Sequence, residues 1–161
     1  MELLKIYIRR LSTRGFTFIE VIVVIALIAI IAQVTLASDI SFYQKKTFND
    51  EVNSLYLLVM RARIASMHNV CFGIPCVDGK SHGVHIEIDR YVLFQGSDFS
   101  DRDVTEDEIV ILSSSVSLTS SGDVVFKQLS GNTNEQIVTV TDSAGRVAQI
   151  LISEEGRLEK Q

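Results

Sequence analysis

No glycine or proline occurs between Gly15 and Gly73, and Pro75 is the only proline in the chain. Because glycine and proline are the residues least compatible with a helix interior, nothing in this segment interrupts a helix. In its second half, apolar residues recur at steps of three and four, as on one face of a helix: Ile40, Phe42, Tyr43, Phe48, Val52, Leu55, Tyr56, Val59, Ala62 and Met67. The sequence predicts one helix of more than fifty residues, apolar on all sides in its first half and amphipathic in its second.

The chain also lacks the motifs that identify common enzyme classes. It has no nucleophile elbow, no phosphate-binding loop, no dinucleotide-binding glycine pattern and no HExxH pair. We therefore expect a protein that is not an enzyme and holds no cofactor or metal. Basic residues are also outnumbered, fifteen against twenty acids, which disfavours a polyanionic partner such as nucleic acid.

The segment RGFTFIEVIVVIALIAIIAQVTLA, residues 14–37, places one acid, Glu20, inside an apolar run. A charge near the centre of a bilayer costs roughly 2.5–3.5 kcal/mol, so such a residue usually meets a partner. As a helix, Phe16 to Ala37 would be about 33 Å long, enough to cross about 30 Å of hydrocarbon. A plain membrane anchor is one alternative. A cleaved secretory signal peptide is another, although its small-residue cleavage site should follow the apolar run.

The residues before this run are predominantly basic: Lys5, Arg9, Arg10 and Arg14 against the acid Glu2. For a single span of the inner (cytoplasmic) membrane, the positive-inside rule then predicts a cytoplasmic N-terminus. The C-terminal domain would face the periplasm, or the outside of a cell with one membrane. Without residues 1–15 the chain keeps eleven basic and nineteen acidic residues, a formal charge of −8.

The basic leader, the Gly15–Phe16 junction, the Thr-Phe-Ile-Glu sequence and the apolar run resemble, in that order, the N-terminus of type IV prepilins and type II secretion pseudopilins. The resemblance implies that prepilin peptidase cleaves between Gly15 and Phe16 and that Phe16 becomes N-methylated. It also implies that Glu20 neutralises the terminal amine of a neighbouring subunit's Phe16 as a filament grows. Opposite charges lower each other's desolvation cost in a low-dielectric setting. The expected partners are the peptidase, other pilin or pseudopilin subunits in a hetero-oligomeric filament, and membrane lipid before assembly.

From residue 70 onward, short runs separated by glycine-containing turns predict β-strands: Val70–Ile74, Gly83–Ile88, Tyr91–Phe94, Ile109–Leu112, Val116–Leu118, Val124–Phe126, Gln136–Thr141 and Val147–Ile152. The sequence DSAGRV predicts a hairpin with Gly145 at a positive φ. The expected fold class is α+β and pilin-like, with one antiparallel sheet, or two small ones, packed on the helix. The expected divisions are a leader at 1–15, an apolar helix at 16–38, an amphipathic continuation at 39–69 and a β-rich domain at 70–161.

Two further segments, LLVMRARIASMHNVCFGI (57–74) and the tail from Asp123 to Leu158, resemble the GspH/FimT group of this family. The resemblance implies an H-type minor pseudopilin, a structural subunit of the periplasmic pseudopilus of type II secretion. The alternative is a FimT-like minor pilin of a type IV pilus, and some FimT members take part in DNA uptake through a basic Gly-Arg-x-Arg motif. This chain has Gly156-Arg157-Leu158-Glu159 instead. Since an acid replaces the second arginine, nucleic acid is not an expected partner.

Cys71 and Cys76 allow three interpretations. An oxidising compartment favours a disulfide, which requires a turn near Gly73–Pro75 because a straight strand would hold the two Cα atoms about 16 Å apart. The cysteines could instead be unpaired and buried. A zinc site with His82 and His85 is the third, although its spacing matches no common finger pattern.

The run SDFSDRDVTEDE, residues 97–108, is rich in acids. It lacks the alternating ligand spacing of a recognisable calcium loop. A solvated, mobile loop is therefore expected, and a docking surface for a partner is the alternative.

Overall fold

A computed structural model describes residues 15–74, 76, 78–119 and 122–161, without the side chains of residues 34–40. The chain divides into two compact units, residues 1–42 and 43–161. Of the predicted leader, residues 1–14 lie outside the described residues, as does Pro75. Within the described residues, no helix is both long and apolar enough to cross a membrane.

The first element is a helix of fifty residues, α1, over Phe18–Met67, which confirms the predicted long helix. It ends where Asn69 adopts a left-handed conformation with a φ of 55°. The Val70 N–H donates to the Ala65 carbonyl at 2.9 Å, and the Asn69 N–H donates to the Ser66 carbonyl at 3.1 Å. This is a Schellman motif, in which an asparagine takes the position that glycine usually occupies.

Within the described part of the chain, eight antiparallel strands follow and form two four-stranded sheets. The strands are β1 (His82–Ile86), β2 (Arg90–Gln95), β3 (Glu108–Ile111), β4 (Val116–Leu118), β5 (Gly122–Phe126), β6 (Gln136–Asp142), β7 (Val147–Ile152) and β8 (Leu158–Lys160). Sheet A has the order β3-β2-β1-β5, and sheet B has the order β4-β6-β7-β8. The predicted α+β, pilin-like class is confirmed, and seven of the eight predicted strands are present within two residues at each end.

The core joins one face of α1 to the inner faces of both sheets. The helix contributes Phe48, Val52, Leu55, Val59 and Ala62, which recur at steps of four and three and are all buried. Alternate residues of each strand meet them, as the two-residue period of a strand requires: Val84, Tyr91, Leu93, Val124 and Phe126 from sheet A, and Val138, Val140, Ile150 and Ile152 from sheet B.

The apolar face predicted for the helix is therefore only partly a core face. Phe42 and Tyr43 are both 70% exposed, and Met67 is 41% exposed. The side chain of Ile40 lies outside the described residues. The periodicity identified which residues share a helix face, and the extent of the sheets decides which of them are covered.

The predicted strand Val70–Ile74 is wrong, because these residues form a loop. The left-handed Asn69 and the positive φ of Gly73 (88°) turn the chain away from an extended course. The backbone of Phe72 is bonded to a side chain instead of to a neighbouring strand. Its N–H donates to Gln95 Oε1 at 2.6 Å, and Gln95 Nε2 donates to the Phe72 carbonyl at 3.2 Å.

The β6–β7 hairpin has the predicted positive φ at Gly145, 79°. Asp142, which the sequence reading did not single out, holds the turn together. Its Oδ1 accepts from the N–H groups of Ala144 and Arg146 at 3.0 and 2.8 Å, and its Oδ2 accepts from Arg146 Nε at 2.6 Å. Burial alone raises the pKa of Asp142, but the hydrogen bonds and charge of Arg146 and the Ala144 N–H outweigh burial, so the pKa is lowered.

The C-terminal strand β8, which the sequence did not predict, follows a turn that lies on the end of α1. Arg63 Nη2 donates to the Glu155 carbonyl at 3.0 Å. The next residue, Gly156, has a φ of 73°, and a Cβ there would overlap the Gly131 carbonyl oxygen and lie 2.8 Å from Arg63 Nε. Arg63 belongs to one of the two segments that resemble the GspH/FimT group, and Gly131 and Gly156 belong to the other. The fold brings these distant segments together in one close-packed junction.

We expect Gly156→Ala to destabilise the protein more than Gly145→Ala does. Both changes place a side chain at a positive φ, which costs about 1–2 kcal/mol, but only Gly156 has close neighbours where the Cβ would lie. Overpacking should add about 1–3 kcal/mol. Urea unfolding of the detergent-solubilised chain, followed by tyrosine fluorescence, measures both losses. Equal losses in the two variants would show that the junction tolerates a side chain.

His82, on β1, is fully buried beneath the loop that carries Phe72. Its ring meets the Phe72 ring edge-on, with centroids 5.2 Å apart. Burial lowers the pKa of His82 by more than the neighbouring Lys80 backbone and Gln95 side chain raise it. The imidazole is therefore neutral in the folded protein at neutral pH.

We expect the buried His82 to make the fold less stable as the pH falls. A histidine with a lowered pKa binds its proton more readily in the unfolded chain, so stability is lost once the pH falls below about 6.5, the ordinary histidine pKa. The slope contributed by one such group is at most about 1.4 kcal/mol per pH unit. Urea unfolding between pH 7.5 and pH 5 should show a shallower loss in His82→Leu than in the wild type. The exposed His68→Gln variant controls for the loss of a histidine as such, and an unchanged slope in His82→Leu would contradict the assignment.

Candidate assembly site

The first turn of α1 is closed by a reciprocal pair of hydrogen bonds between Thr17 and Glu20. The Glu20 N–H donates to Thr17 Oγ1 at 3.3 Å, and the Thr17 N–H donates to Glu20 Oε2 at 3.4 Å. This is a capping box, in which a threonine at the N-cap and a glutamate three residues later satisfy each other's free backbone donors. The carboxylate of Glu20 is thereby held at the N-terminal end of the helix, where a negative charge is favourable.

The Gly15–Phe16 junction lies just before this capping box, outside regular structure. Phe16 is 80% exposed. A Cβ added to Gly15 would have no described atom within 4 Å, and Gly15 is not among the glycines with a positive φ. Within the described residues, neither packing nor backbone conformation therefore requires a glycine at position 15.

The helix residues that follow expose large apolar side chains on every side. Phe18, Ile19, Ile25, Ile28 and Ile31 are among them, and all the described side chains up to Gln33 are exposed. A contiguous apolar surface of this kind marks a site that another molecule covers.

The comparisons with known proteins agree with this geometry. Residues 10–32 match the family model described as the prokaryotic N-terminal methylation motif. Among solved structures, the chain resembles the minor pseudopilin EpsH from the type 2 secretion system of Vibrio cholerae, with a TM-score of 0.52 and 12% sequence identity. The match covers 70% of this chain and 94% of that one. A search of curated proteins found no match.

The N-terminus thus carries a prokaryotic methylation motif, and the fold resembles that of a minor pseudopilin. The resemblance drawn from the sequence is thus confirmed.

Cys71 and Cys76 are joined by a disulfide, with their Cα atoms 5.9 Å apart. Of the three interpretations left open by the sequence, this is the one that the structure contains. The bend that brings the cysteines together includes the positive φ of Gly73.

The four residues of the alternative zinc site are not assembled. His82 and His85 are three apart on β1, so their side chains lie on opposite faces of sheet A. His85 Nδ1 instead pairs with Asp123 Oδ1 at 2.5 Å. Among the described residues, no group of three or more histidine, cysteine, aspartate or glutamate side chains is arranged to hold a metal ion.

The acidic run at residues 97–108 is more structured than the solvated loop expected from its composition. It contains two 3₁₀ turns, Phe99–Asp101 and Val104–Glu106. The Phe99 ring stacks on the His85 ring at 3.7 Å, and the Arg102 guanidinium lies 3.7 Å from the centre of the Phe99 ring. Arg102 Nε also donates to Asp107 Oδ2 at 2.7 Å. The aromatic residue between the acids therefore attaches the run to the outer face of sheet A.

The C-terminal Gly156-Arg157-Leu158-Glu159 segment places an acid next to its arginine. Arg157 is exposed, and its Nη1 lies 4.0 Å from Glu159 Oε1. A phosphate approaching Arg157 would therefore meet the Glu159 carboxylate as well, which weakens the electrostatic attraction that non-specific DNA binding requires.

We expect the Cys71–Cys76 disulfide to contribute to the stability of the unit formed by residues 43–161. Closing a loop of this length restricts the unfolded chain by roughly 2 kcal/mol. Thiol alkylation without reductant should label neither cysteine, and the Cys71→Ser/Cys76→Ser variant should unfold at lower urea than the wild type. Quantitative labelling of both thiols in protein isolated without reductant would disprove the bridge.

Proposed function

We propose that the chain is an H-type minor pseudopilin of a type II secretion system, a structural subunit of the periplasmic pseudopilus. In this proposal prepilin peptidase cleaves between Gly15 and Phe16, and Phe16 is N-methylated. Residues 16–38 then hold the subunit in the inner membrane, with residues 70–161 in the periplasm as the globular domain and residues 39–69 continuing the helix towards it. Lipid covers the apolar helix before assembly, and neighbouring subunits cover it afterwards.

The observation that carries the proposal is the position of Glu20. Its carboxylate is exposed in the first helical turn, four residues after Phe16, and its hydrogen bond comes from the Thr17 backbone. Within the described residues it forms no ion pair. The charge is therefore free to meet the amine that cleavage creates on a neighbouring Phe16. Meeting that amine offsets the cost of moving both groups out of water.

The accessible junction supports processing at Gly15. In the described part of the chain, neither packing nor the backbone φ requires a glycine at position 15, and the segment around it is exposed. A glycine here therefore fits recognition by an enzyme better than a structural role. Exposure of Phe16 likewise leaves the new terminus open to methylation.

The choice of the secretion system over a type IV pilus is supported by charge. The FimT-like alternative, a minor pilin that takes part in DNA uptake, would use a basic C-terminal surface. In this chain Glu159 partly neutralises Arg157, and the chain from Phe16 onward carries a formal charge of −8. Salt-sensitive DNA binding by the full chain would favour the alternative.

We expect Glu20→Gln and Glu20→Ala to lower filament incorporation to the same extent, by at least about tenfold. Removing one partner of a buried charge pair costs about 3–5 kcal/mol. Glutamine can still complete the capping box, so the Gln variant removes the charge while retaining the helix cap. The measurement is the fraction of the subunit recovered with filaments from cells that express the full chain.

Two controls accompany this comparison. Asp50→Asn removes an exposed acid from the same helix and should incorporate normally. Gly15→Val should remain uncleaved on a gel, which separates failure of processing from failure of assembly. Normal incorporation of cleaved Glu20→Gln would refute the charge-pair role.

A further inference from the structure

A groove of about 300 Å³ lies on the outer face of sheet B, towards the end where β8 pairs with β7. Its floor includes Ile137 and Leu151, which are opposite each other on β6 and β7. Opposed side chains in an antiparallel pair are in contact, so the two form one apolar surface. Ile137, the second residue of β6, is 51% exposed.

Charged side chains surround this apolar floor. Register places Glu159 opposite Leu151, and Glu135, the residue just before β6, lines the same groove. Glu155 accepts a hydrogen bond from the Ser153 hydroxyl at 2.8 Å, which is the main cause of its lowered pKa. With Arg157 as the one basic side chain lining the groove beside these three glutamates, the local charge is negative.

We infer that this groove binds a segment of a different filament subunit, in which a lysine or arginine stands beside an apolar side chain. The apolar side chain would cover Ile137 and Leu151, and the basic group would meet Glu135 and Glu159. Electrostatic complementarity of this kind selects the partner and sets its register. A second copy of this chain is disfavoured by the shared formal charge of −8, and a polyanion is disfavoured by the glutamates.

The identity of the partner as a filament subunit rests on the proposed function, whereas the groove's preference for a basic, apolar segment rests on the side chains alone. The test places a photoreactive phenylalanine analogue at Ile137 of the full-length chain in cells of its own host. The matched position is Val147, which is exposed on the same face of sheet B, outside the groove. Mass spectrometry then identifies the crosslinked partner peptide.

The expected result is a crosslink from position 137 to a peptide of another pilin-like subunit that contains lysine or arginine next to the attachment point. Glu135→Lys/Glu159→Lys should lower its yield at least about fivefold, as expected for lost charge contacts. Asp89→Lys/Asp101→Lys adds the same charge on exposed sites away from the groove and should leave the yield unchanged.

The inference is overturned by equal yields at 137 and 147, by no crosslink, or by a yield that charge reversal does not lower. It is equally overturned if the partner is nucleic acid, a second copy of this chain or a segment without a basic residue. Filament incorporation is scored in the same cells. If the subunit enters filaments but the expected crosslink is absent, the groove inference fails and the proposed function stands. If the crosslink leads to a basic segment of a protein outside the filament, the result counts against a filament subunit as the partner.

Discussion

The apolar surface of the first half of α1 is the constraint on which the rest depends. From Phe18 to Gln33 the described helix exposes large apolar side chains in every direction. At roughly 25 cal/mol per Å² of apolar surface, leaving such a helix in water is strongly unfavourable. The segment therefore requires an apolar environment, and in the proposed function lipid and then neighbouring subunits would supply it.

Within the unit formed by residues 43–161, the same helix has a different role. Phe48, Val52, Leu55, Val59 and Ala62 lie on one face, and both sheets pack on it. The junction of Arg63, Gly131 and Gly156 attaches the C-terminal turn to the end of the helix. A domain built this way has its own core, so its stability does not depend on the partners that the first half of the helix requires.

The sequence predicted most of this architecture because the dominant signals were local. The absence of helix breakers and the step of three or four residues identify α1, and alternating runs identify seven of the strands. The loop at Val70–Ile74 was missed because an asparagine at a positive φ and a side-chain clamp from Gln95, twenty-three residues away, override a strand-like run. The short β8 was missed because its pairing with β7 depends on the turn at Gly156, which only the folded junction explains.

At the assembly site, too, the sequence predicted one part of the arrangement and missed another. The Thr17–Glu20 capping box can be read from the spacing T-x-x-E, but the sequence reading assigned Glu20 only to a partner. Both roles use the same carboxylate, and they do not exclude each other, because a carboxylate has about four acceptor sites and the capping box occupies one. A bond to its own Thr17 N–H therefore positions Glu20 at the helix end without using up its capacity to accept from an amine. The structure thus supplies a reason why the acid lies three residues after a threonine: the capping box orients the charge that, in the proposed function, meets the amine of a neighbouring subunit.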